Sequence, residues 1–261
     1  MCSPLRKGIM RFSQEGKGRF SITFPKDELR SRSQTEEYCI FERGGRRQTI
    51  RFHDYSKIYS IPGLYEYLFC KKLRYKSPEV VTGLLVKEVL RSSSSVSDLV
   101  VLEIGAGNGL VGEALKRQGV SALVGIDIVP EATEAAERDR PGLYLAYYVE
   151  DLQNLSPAVQ NELKAKRFNC LVAVGALGFS DIPPRAFTQA YNLISDGGWI
   201  AFNIKEDFME ENDSTGFERL IRGMLYDGAL ELKVKHRYCH RLSMDGGPLH
   251  YMAVIGRKKG M

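Results

Sequence analysis

Apolar and polar residues follow a regular order in the chain after residue 98. Short continuous apolar runs predict five strands: LVVLEI, ALVGIDI, LYLAYYV, FNCLVAVGAL and WIAFNIK. Such runs are typical of strands buried on both faces. Segments with apolar positions at helical spacing lie between them, and two longer strands are expected near residues 229–238 and 249–257. This alternation predicts an α/β domain in which helices cover both faces of a parallel sheet.

The residues before this domain form two segments that differ in composition and in predicted secondary structure. Residues 1–53 predict a basic, irregular tail, within which YCIFERGGRRQTIRF would form a hairpin around Gly44 and Gly45. The arginines of this hairpin either lie in a solvent-exposed turn or form an anion-binding site. Residues 54–97 predict a helical extension that is interrupted at Pro62 and Gly63, with Ser77 as N-cap of its second helix. The sequence thus predicts three parts: 1–53, 54–97 and 98–261.

Composition narrows the class of protein without naming its activity. The 261 residues carry a net charge of +5, which by itself does not indicate nucleic-acid binding. No apolar run approaches the roughly 20 residues of a transmembrane helix. The five cysteines are scattered without metal-ligand or redox spacing: Cys2, Cys39, Cys70, Cys170 and Cys239. We therefore expect a cytoplasmic protein with reduced thiols, no membrane segment and no metal.

The stretch VVLEIGAGNGLVGEAL contains the clearest chemical signal. An acid, Glu103, ends the apolar run, and glycines follow at every second position before a helix starts. Glycine there permits unusual backbone angles and close approach of a ligand, which predicts a nucleotide-type pocket at the carboxyl end of the strand. A dinucleotide site reads G-x-G-x-x-G, but Leu110 occupies its third glycine position. Glu103 would also repel pyrophosphate and favours a cationic ligand, the alternative being an ordinary strand-end acid in a surface pair.

This E-x-G-x-G-x-G pattern resembles the first motif of class I S-adenosylmethionine-dependent methyltransferases. The resemblance implies a Rossmann-like, doubly wound sheet of seven strands in the order 3-2-1-4-5-7-6, with the last strand antiparallel, preceded here by an N-terminal extension. It also implies S-adenosylmethionine as cofactor and S-adenosylhomocysteine as product. The residues expected to bind the cofactor are Glu103, Gly105, Ala106, Gly107, Asn108, Gly109, Asp127, Ile128, Glu150, Asp151, Leu152, Gly175 and Ala176, together with Tyr55 and Tyr59.

The resemblance gives several of these residues a role. It implies that Asp127 accepts hydrogen bonds from the ribose hydroxyls, and that Asp151 or its neighbour Glu150 lies near the adenine amino group. Gly175 would line the pocket beside the methyl donor. The alternatives are that Asp127 caps the helix starting near Pro130 and that Gly175 is needed only for the backbone conformation of its turn.

The methyl acceptor is inferred from sequence signatures that the chain lacks. The sequence has no Asn/Asp-Pro-Pro-Tyr signature after the fourth strand, no Pro-Cys loop and no paired metal-binding acids, so we expect an O or N atom of a small molecule rather than nucleic acid. His236, Tyr238 and His240 lie on one face of a predicted strand and are the candidate catalytic residues; a structural role is the alternative. Tyr55, Tyr59, Tyr65 and Tyr67 would form a lid or pack as ordinary helix faces.

Three functional hypotheses follow from these patterns. The first is a small-molecule methyltransferase that acts as a monomer or homodimer. The second is a non-catalytic protein that binds S-adenosylmethionine or S-adenosylhomocysteine, because the sequence offers no assured general base. The third is a dinucleotide-dependent oxidoreductase.

Overall fold

A computed structural model describes residues 10–13, 20–25, 34–179, 181–210 and 213–260. The chain divides into two compact units, one formed by residues 1–75 and 241–249 and the other by residues 76–240 and 250–261. Much of the basic tail predicted for residues 1–53 lies outside the described residues. Within the described part, no helix combines the length and apolar character required to cross a membrane.

The N-terminal unit contains a four-stranded antiparallel sheet where an irregular tail was predicted. Its strands, in spatial as in chain order, are β1 (Met10–Ser13), β2 (Ser21–Phe24), β3 (Tyr38–Arg43) and β4 (Arg46–Arg51). β3 and β4 form a hairpin whose turn residues, Gly44 and Gly45, have φ of +58° and +78°. Most of this sheet could not be predicted from the sequence because its strands are short and separated by charged residues. In β3, Cys39 and Phe41 are both buried, as expected for alternate residues on one face of a strand.

Two helical segments complete the core of this unit. α1 (Tyr55–Ser60) and a π-helical turn (Glu66–Lys72) flank the predicted break, at which Gly63 has a φ of +75°. Aromatic side chains dominate the core, with Phe20, Phe41 and Phe52 among those that are almost fully buried. Residues 241–249 join this unit through a buried ion pair between Arg241 and Glu37.

The second unit contains a seven-stranded sheet. Its strands are β5 (Val100–Ile104), β6 (Ala122–Asp127), β7 (Ala146–Val149), β8 (Cys170–Ala173), β9 (Trp199–Lys205), β10 (Leu230–Leu242) and β11 (Pro248–Lys258). They lie in the order β7-β6-β5-β8-β9-β11-β10. The pairs among β5 to β9 are parallel, and β11 runs antiparallel to β9. Counted from β5, this is the order 3-2-1-4-5-7-6, and the predicted fold is confirmed.

Helices cover both faces of the sheet, as the apolar strands require. They are α2 (Ser77–Arg91), α3 (Leu110–Arg117), α4 (Pro130–Asp139), α5 (Pro157–Ala165), α6 (Pro184–Asn192) and α7 (Phe217–Tyr226). One apolar core packs α2 and α3 on one face, and a second packs α5, α6 and α7 on the other. α2 therefore belongs to the sheet unit and not to the extension with which the sequence grouped it, because Val81, Leu85 and Val89 form an apolar stripe within the first of these cores.

The topology fixes where a ligand can bind. From β5 the chain builds the sheet outward through β6 and β7, and then crosses back to place β8 on the other side of β5. Two connections thus leave the sheet in opposite directions beside β5, which opens a crevice at the carboxyl ends of these strands. The glycine-rich segment follows β5 and lies at this crevice.

Candidate cofactor site

Three glycines of the loop after β5 have left-handed backbone conformations. Their φ angles are +62° at Gly105, +54° at Gly107 and +84° at Gly109. Side chains from neighbouring segments approach this backbone closely, since a Cβ added to Gly105 would lie 2.6 Å from the Cβ of Ala176. α3 begins directly afterwards at Leu110. The sequence uses glycine here because both the backbone angles and the lack of space exclude larger residues.

Asp127 joins the end of β6 to this loop. Its Oδ2 accepts a hydrogen bond from the N–H of Gly107 (2.9 Å), and its Oδ1 accepts one from the N–H of Val129 (3.0 Å). The residue is 9% exposed, and burial raises the pKa of its carboxyl group, to which the negative charge of Asp181 adds. The next residue, Ile128, is 60% exposed and offers apolar surface beside the carboxylate.

Residues from the end of α4 to β7 make hydrogen bonds to the glycine loop. The hydroxyl of Tyr147 donates to the carbonyl of Gly107 (2.8 Å), and the guanidinium of Arg140 donates to the carbonyl of Asn108 (3.1 Å). The Asn108 side chain donates to Asp139 (3.2 Å) and is only 2% exposed. Sequence reasoning missed Tyr147 and Arg140, because nothing in the spacing along the chain links them to a loop some thirty to forty residues earlier.

Glu103 lies beneath the loop. Its side chain is directed toward α3, where a Cβ added to Gly112 would be 3.0 Å from Oε2, and the hydroxyl of Tyr144 donates to the same oxygen (2.9 Å). The residue is 1% exposed, and burial raises its pKa to about 8. The sequence assigned the charge beside a cationic ligand to Glu103, but in the structure Asp127 is the acid bonded to the glycine loop. Contact between Glu103 and a cofactor stays a prediction.

The two acids after β7 have different surroundings. The N–H of Glu150 donates to the carbonyl of Asp127 (3.0 Å), which places the two residues side by side. Asp151 closes its own turn, accepting hydrogen bonds from the N–H of Gln153 and the side chain of Asn154, and these bonds lower its pKa. Leu152 is 7% exposed. The choice between Glu150 and Asp151 for adenine stays a prediction.

The loop after β8 reaches the glycine loop from the other side. Gly175 has a φ of +70°, and its N–H donates to Oδ1 of Asn203 on β9 (2.6 Å). Ala176 lies against Gly105, as the short distance to an added Cβ shows. The structure therefore brings the predicted residues of β5, β6 and β8 to one edge of the sheet.

The candidate catalytic residues on β10 differ in exposure: His240 is buried, Tyr238 is half-buried and His236 is exposed. Tyr238 and His240 share Ser77 as a partner, with distances of 2.7 Å from Ser77 Oγ to the Tyr238 hydroxyl and to His240 Nδ1. The His240 ring also stacks on Tyr251 at 3.8 Å. Burial raises the pKa of Tyr238. His236 is exposed, and its ring lies parallel to that of Tyr238 at 6.3 Å. Ser77 was predicted as an N-cap, but its hydroxyl serves this network and Lys76 is the N-cap of α2.

Comparison with known families decides the class of this site. A family model described as a methyltransferase domain matches residues 75–224, which is more than half of the chain. The chain belongs to the class I methyltransferase family. This family uses S-adenosylmethionine, which confirms the predicted cofactor.

Two solved structures show the same fold as this methyltransferase. One is the N-methyltransferase NodS from Bradyrhizobium japonicum in complex with S-adenosylhomocysteine, with a TM-score of 0.52, 16% identity, and coverage of 80% of this chain and 98% of that chain. The other is a putative RNA methyltransferase from Pyrococcus horikoshii, with a TM-score of 0.51, 11% identity, and coverage of 71% and 85%. No curated protein matches the sequence.

The residues of this methyltransferase fit the cofactor. The loop has no Cβ at Gly105, Gly107 or Gly109. At Gly105 and Gly109 the space that a Cβ would occupy is filled by Ala176 and Leu143, so the contact with the cofactor is assigned to Gly107. The Asp127 carboxylate uses part of its acceptor capacity on backbone N–H groups and retains capacity for a hydroxyl donor. The exposed side chain of Ile128 is suited to an apolar ring.

The tyrosines predicted as lid residues lie in the N-terminal unit. Tyr55 and Tyr59 are on α1, and their rings stack at 5.9 Å; Tyr59 also stacks on Tyr65 at 5.2 Å. Tyr59 is buried within this unit. The contact of Tyr55 and Tyr59 with the cofactor stays a prediction.

Proposed function

We propose that this protein is an enzyme that transfers the methyl group of S-adenosylmethionine to an O or N atom of a small molecule. The observation that carries the proposal is the bond between Asp127 and the left-handed glycine loop, because the bond holds a carboxylate at the edge of a glycine-rich turn. The proposed cofactor-binding residues are those named from the sequence: Glu103, Gly105, Ala106, Gly107, Asn108, Gly109, Asp127, Ile128, Glu150, Asp151, Leu152, Gly175 and Ala176, with Tyr55 and Tyr59.

Each part of the site would contribute to positioning. When bound, the cofactor supplies a methyl group that is already activated as an electrophile by its positive sulfur. Asp127 would orient the donor through its hydroxyl groups, while Gly107 would admit it to contact with the main chain. Gly175 and Ala176, next to Gly105, would shape the space beside the methyl group. Positioning alone can lower a barrier by roughly 7–11 kcal/mol in favourable intramolecular cases.

Proton removal from the acceptor would require a base. General-base catalysis typically adds about 10²- to 10⁴-fold to a rate. His236, Tyr238 and His240 remain the proposed candidates, and His236 is the one whose ring is exposed. An acceptor that reacts without losing a proton needs no such group.

A small molecule is the proposed acceptor because the loop after β8 reads GALGFSDIPP and lacks the signature of nucleic-acid adenine methyltransferases. One structural relative is described as an N-methyltransferase and the other as a putative RNA methyltransferase. The shared fold therefore does not select the acceptor, and the loops must do so. Cys39 and Cys170 are buried free thiols, which suits the proposed cytoplasmic location. We expect the enzyme to work as a monomer or homodimer.

Calorimetric titration with S-adenosylmethionine, S-adenosylhomocysteine and NADH tests the proposal. We expect the first two to bind and NADH not to bind, whereas binding of NADH alone would refute the cofactor assignment. Turnover of a panel of small amines, phenols and carboxylic acids then tests the transfer. The competing function is a non-catalytic binder, favoured by the engagement of Tyr238 and His240 in a buried network, and binding without any turnover would support it.

A further inference from the structure

Asn203 is a polar residue within the apolar strand β9. Trp199, Ile200, Ala201 and Phe202 precede it, all of them buried, and Asn203 itself is 0% exposed. A buried amide destabilises a protein unless its hydrogen bonds are made. Those of Asn203 are made: Oδ1 accepts from Gly175, and Nδ2 donates to the hydroxyls of Tyr238 (2.7 Å) and Ser77 (3.0 Å).

The bond to Gly175 begins where the parallel pairing of β8 and β9 ends. The last register pair joins Ala173 to Phe202. Beyond this pair, the N–H of Gly175 donates to Oδ1 of Asn203 (2.6 Å) instead of to a backbone carbonyl of β9. Gly175 leaves the sheet with a left-handed backbone, and the next residue, Ala176, lies against Gly105. The Asn203 side chain thus holds the chain at the point where it turns toward the glycine loop.

The partners of Asn203 fix the orientation of its amide. The hydroxyl of Tyr238 donates to Ser77 Oγ (2.7 Å), so Ser77 accepts from both Tyr238 and Asn203. With both acceptor positions of its hydroxyl filled, Ser77 donates its own hydrogen to Nδ1 of His240 at 2.7 Å. His240 then carries its proton on Nε2. If the Asn203 amide were flipped, Oδ1 would face Ser77 and Nδ2 would face the N–H of Gly175. Two hydrogen-bond donors, Nδ2 and the Gly175 N–H, would then oppose each other, which excludes the flipped orientation.

We infer that Asn203 is a positioning residue that fixes Gly175 and Ala176 beside the sulfur of the cofactor and the amino-acid chain that it carries. β5 lies between β6, which carries Asp127, and β8, which precedes Gly175. If the ribose binds at Asp127, the rest of the cofactor extends across Gly105 toward β8. This inference rests on the proposed function, because it uses the proposed site of the cofactor.

The test measures the affinities of two ligands in variants of two asparagines. S-adenosylhomocysteine has the sulfur and the amino-acid chain, and adenosine lacks both. Asn203→Leu should weaken binding of the first by about five- to tenfold, as the loss of the one hydrogen bond that holds Gly175 implies, and binding of the second by less than about twofold. Asn203→Asp keeps an acceptor for Gly175 and should restore most of the affinity.

Asn169 provides the matched control. Its Oδ1 accepts from the N–H of Val100 (2.8 Å), as that of Asn203 accepts from Gly175, and its Nδ2 donates to the carbonyl of Asp98 (2.8 Å). It lies at the opposite, amino end of the sheet. Asn169→Leu should destabilise the fold without changing the ratio of the two affinities. If Asn203→Leu does not fold, Ser77→Ala, which removes one of the two hydroxyls that orient the Asn203 amide, should shift the same ratio in the same direction.

The outcomes separate this inference from the function on which it depends. If the unaltered protein does not bind S-adenosylhomocysteine, the proposed function fails and the inference fails with it. If the unaltered protein binds it, then equal losses for both ligands in Asn203→Leu, or the same ratio in Asn203→Leu and Asn169→Leu, overturn the positioning role alone. Slow hydrogen exchange of the Gly175 amide in the unaltered protein and fast exchange in Ser77→Ala would support it.

Discussion

Replacing Glu103 by glutamine should make the stability of the protein less dependent on pH. Glu103 is 1% exposed, and burial raises its pKa from 4.5 to about 8. Between these two pH values the native state holds a proton that the unfolded state has lost. The free energy of unfolding therefore falls as pH rises through this interval, and the stability contributed by the proton is complete below pH 4.5 and lost above about pH 8.

The magnitude follows from the width of the interval. One pH unit corresponds to about 1.4 kcal/mol for one proton, so the unaltered protein should lose about 3 kcal/mol between about pH 5 and 7 through this residue. Glutamine carries no such proton, and the loss should vanish in Glu103→Gln. The new amide group will shift the whole curve by a constant amount, depending on how it bonds to Tyr144, without altering the slope.

Urea unfolding at several pH values, without cofactor, measures this slope. Glu137→Gln changes the same chemical group at an exposed position of α4 and serves as the control, whose curve should run parallel to that of the unaltered protein. Parallel curves for Glu103→Gln and the unaltered protein would show that Glu103 is ionised in the native state. The carboxyl group would then be charged beneath the loop, and our account of its burial would be wrong.

Three further predictions concern the cofactor. Asp127→Ala should weaken binding of S-adenosylmethionine by more than about tenfold in calorimetry, because charge-assisted hydrogen bonds contribute roughly 1.5–3 kcal/mol; unchanged affinity in a folded variant would remove Asp127 from the site. Gly107→Val should abolish binding, because a branched side chain is strained at a φ of +54°, and tight binding by a variant with a native circular dichroism spectrum would refute the loop assignment. Hydrogen exchange with and without S-adenosylhomocysteine should show protection gained between Tyr55 and Tyr67 if this segment is a lid, and identical exchange in both states would mark it as fixed structure.

The sheet was predictable because its signals are local. The five parallel strands of the second unit are apolar runs, Gly119 follows the end of α3, and Pro130 is the first residue of α4. The four-stranded sheet of the N-terminal unit was not found, because its strands are short. The boundary at α2 was misplaced because a polar linker suggests a domain border, whereas the burial of Leu85 in the sheet core depends on packing that no spacing reveals.

The site was predictable only where the ligand would meet the backbone or a strand end. Gly107 and Asp127 stand out because glycine and an acid are unusual choices after apolar runs. Tyr147, Arg140 and Asn203 do not stand out, because each acts on a loop distant in sequence through a single hydrogen bond. The burial of Glu103 against α3 also escaped prediction, since the sequence gives its position on the strand but not the carboxyl group's partner, Tyr144.

The most direct test of the central claim is the structure of the protein bound to S-adenosylhomocysteine. We predict that the ribose hydroxyls lie within hydrogen-bond distance of the Asp127 carboxylate, that the ligand contacts the backbone at Gly107, and that its sulfur lies beside Gly175. A ligand bound elsewhere, or bound with its ribose away from Asp127, would contradict the assignment of this crevice as the cofactor site.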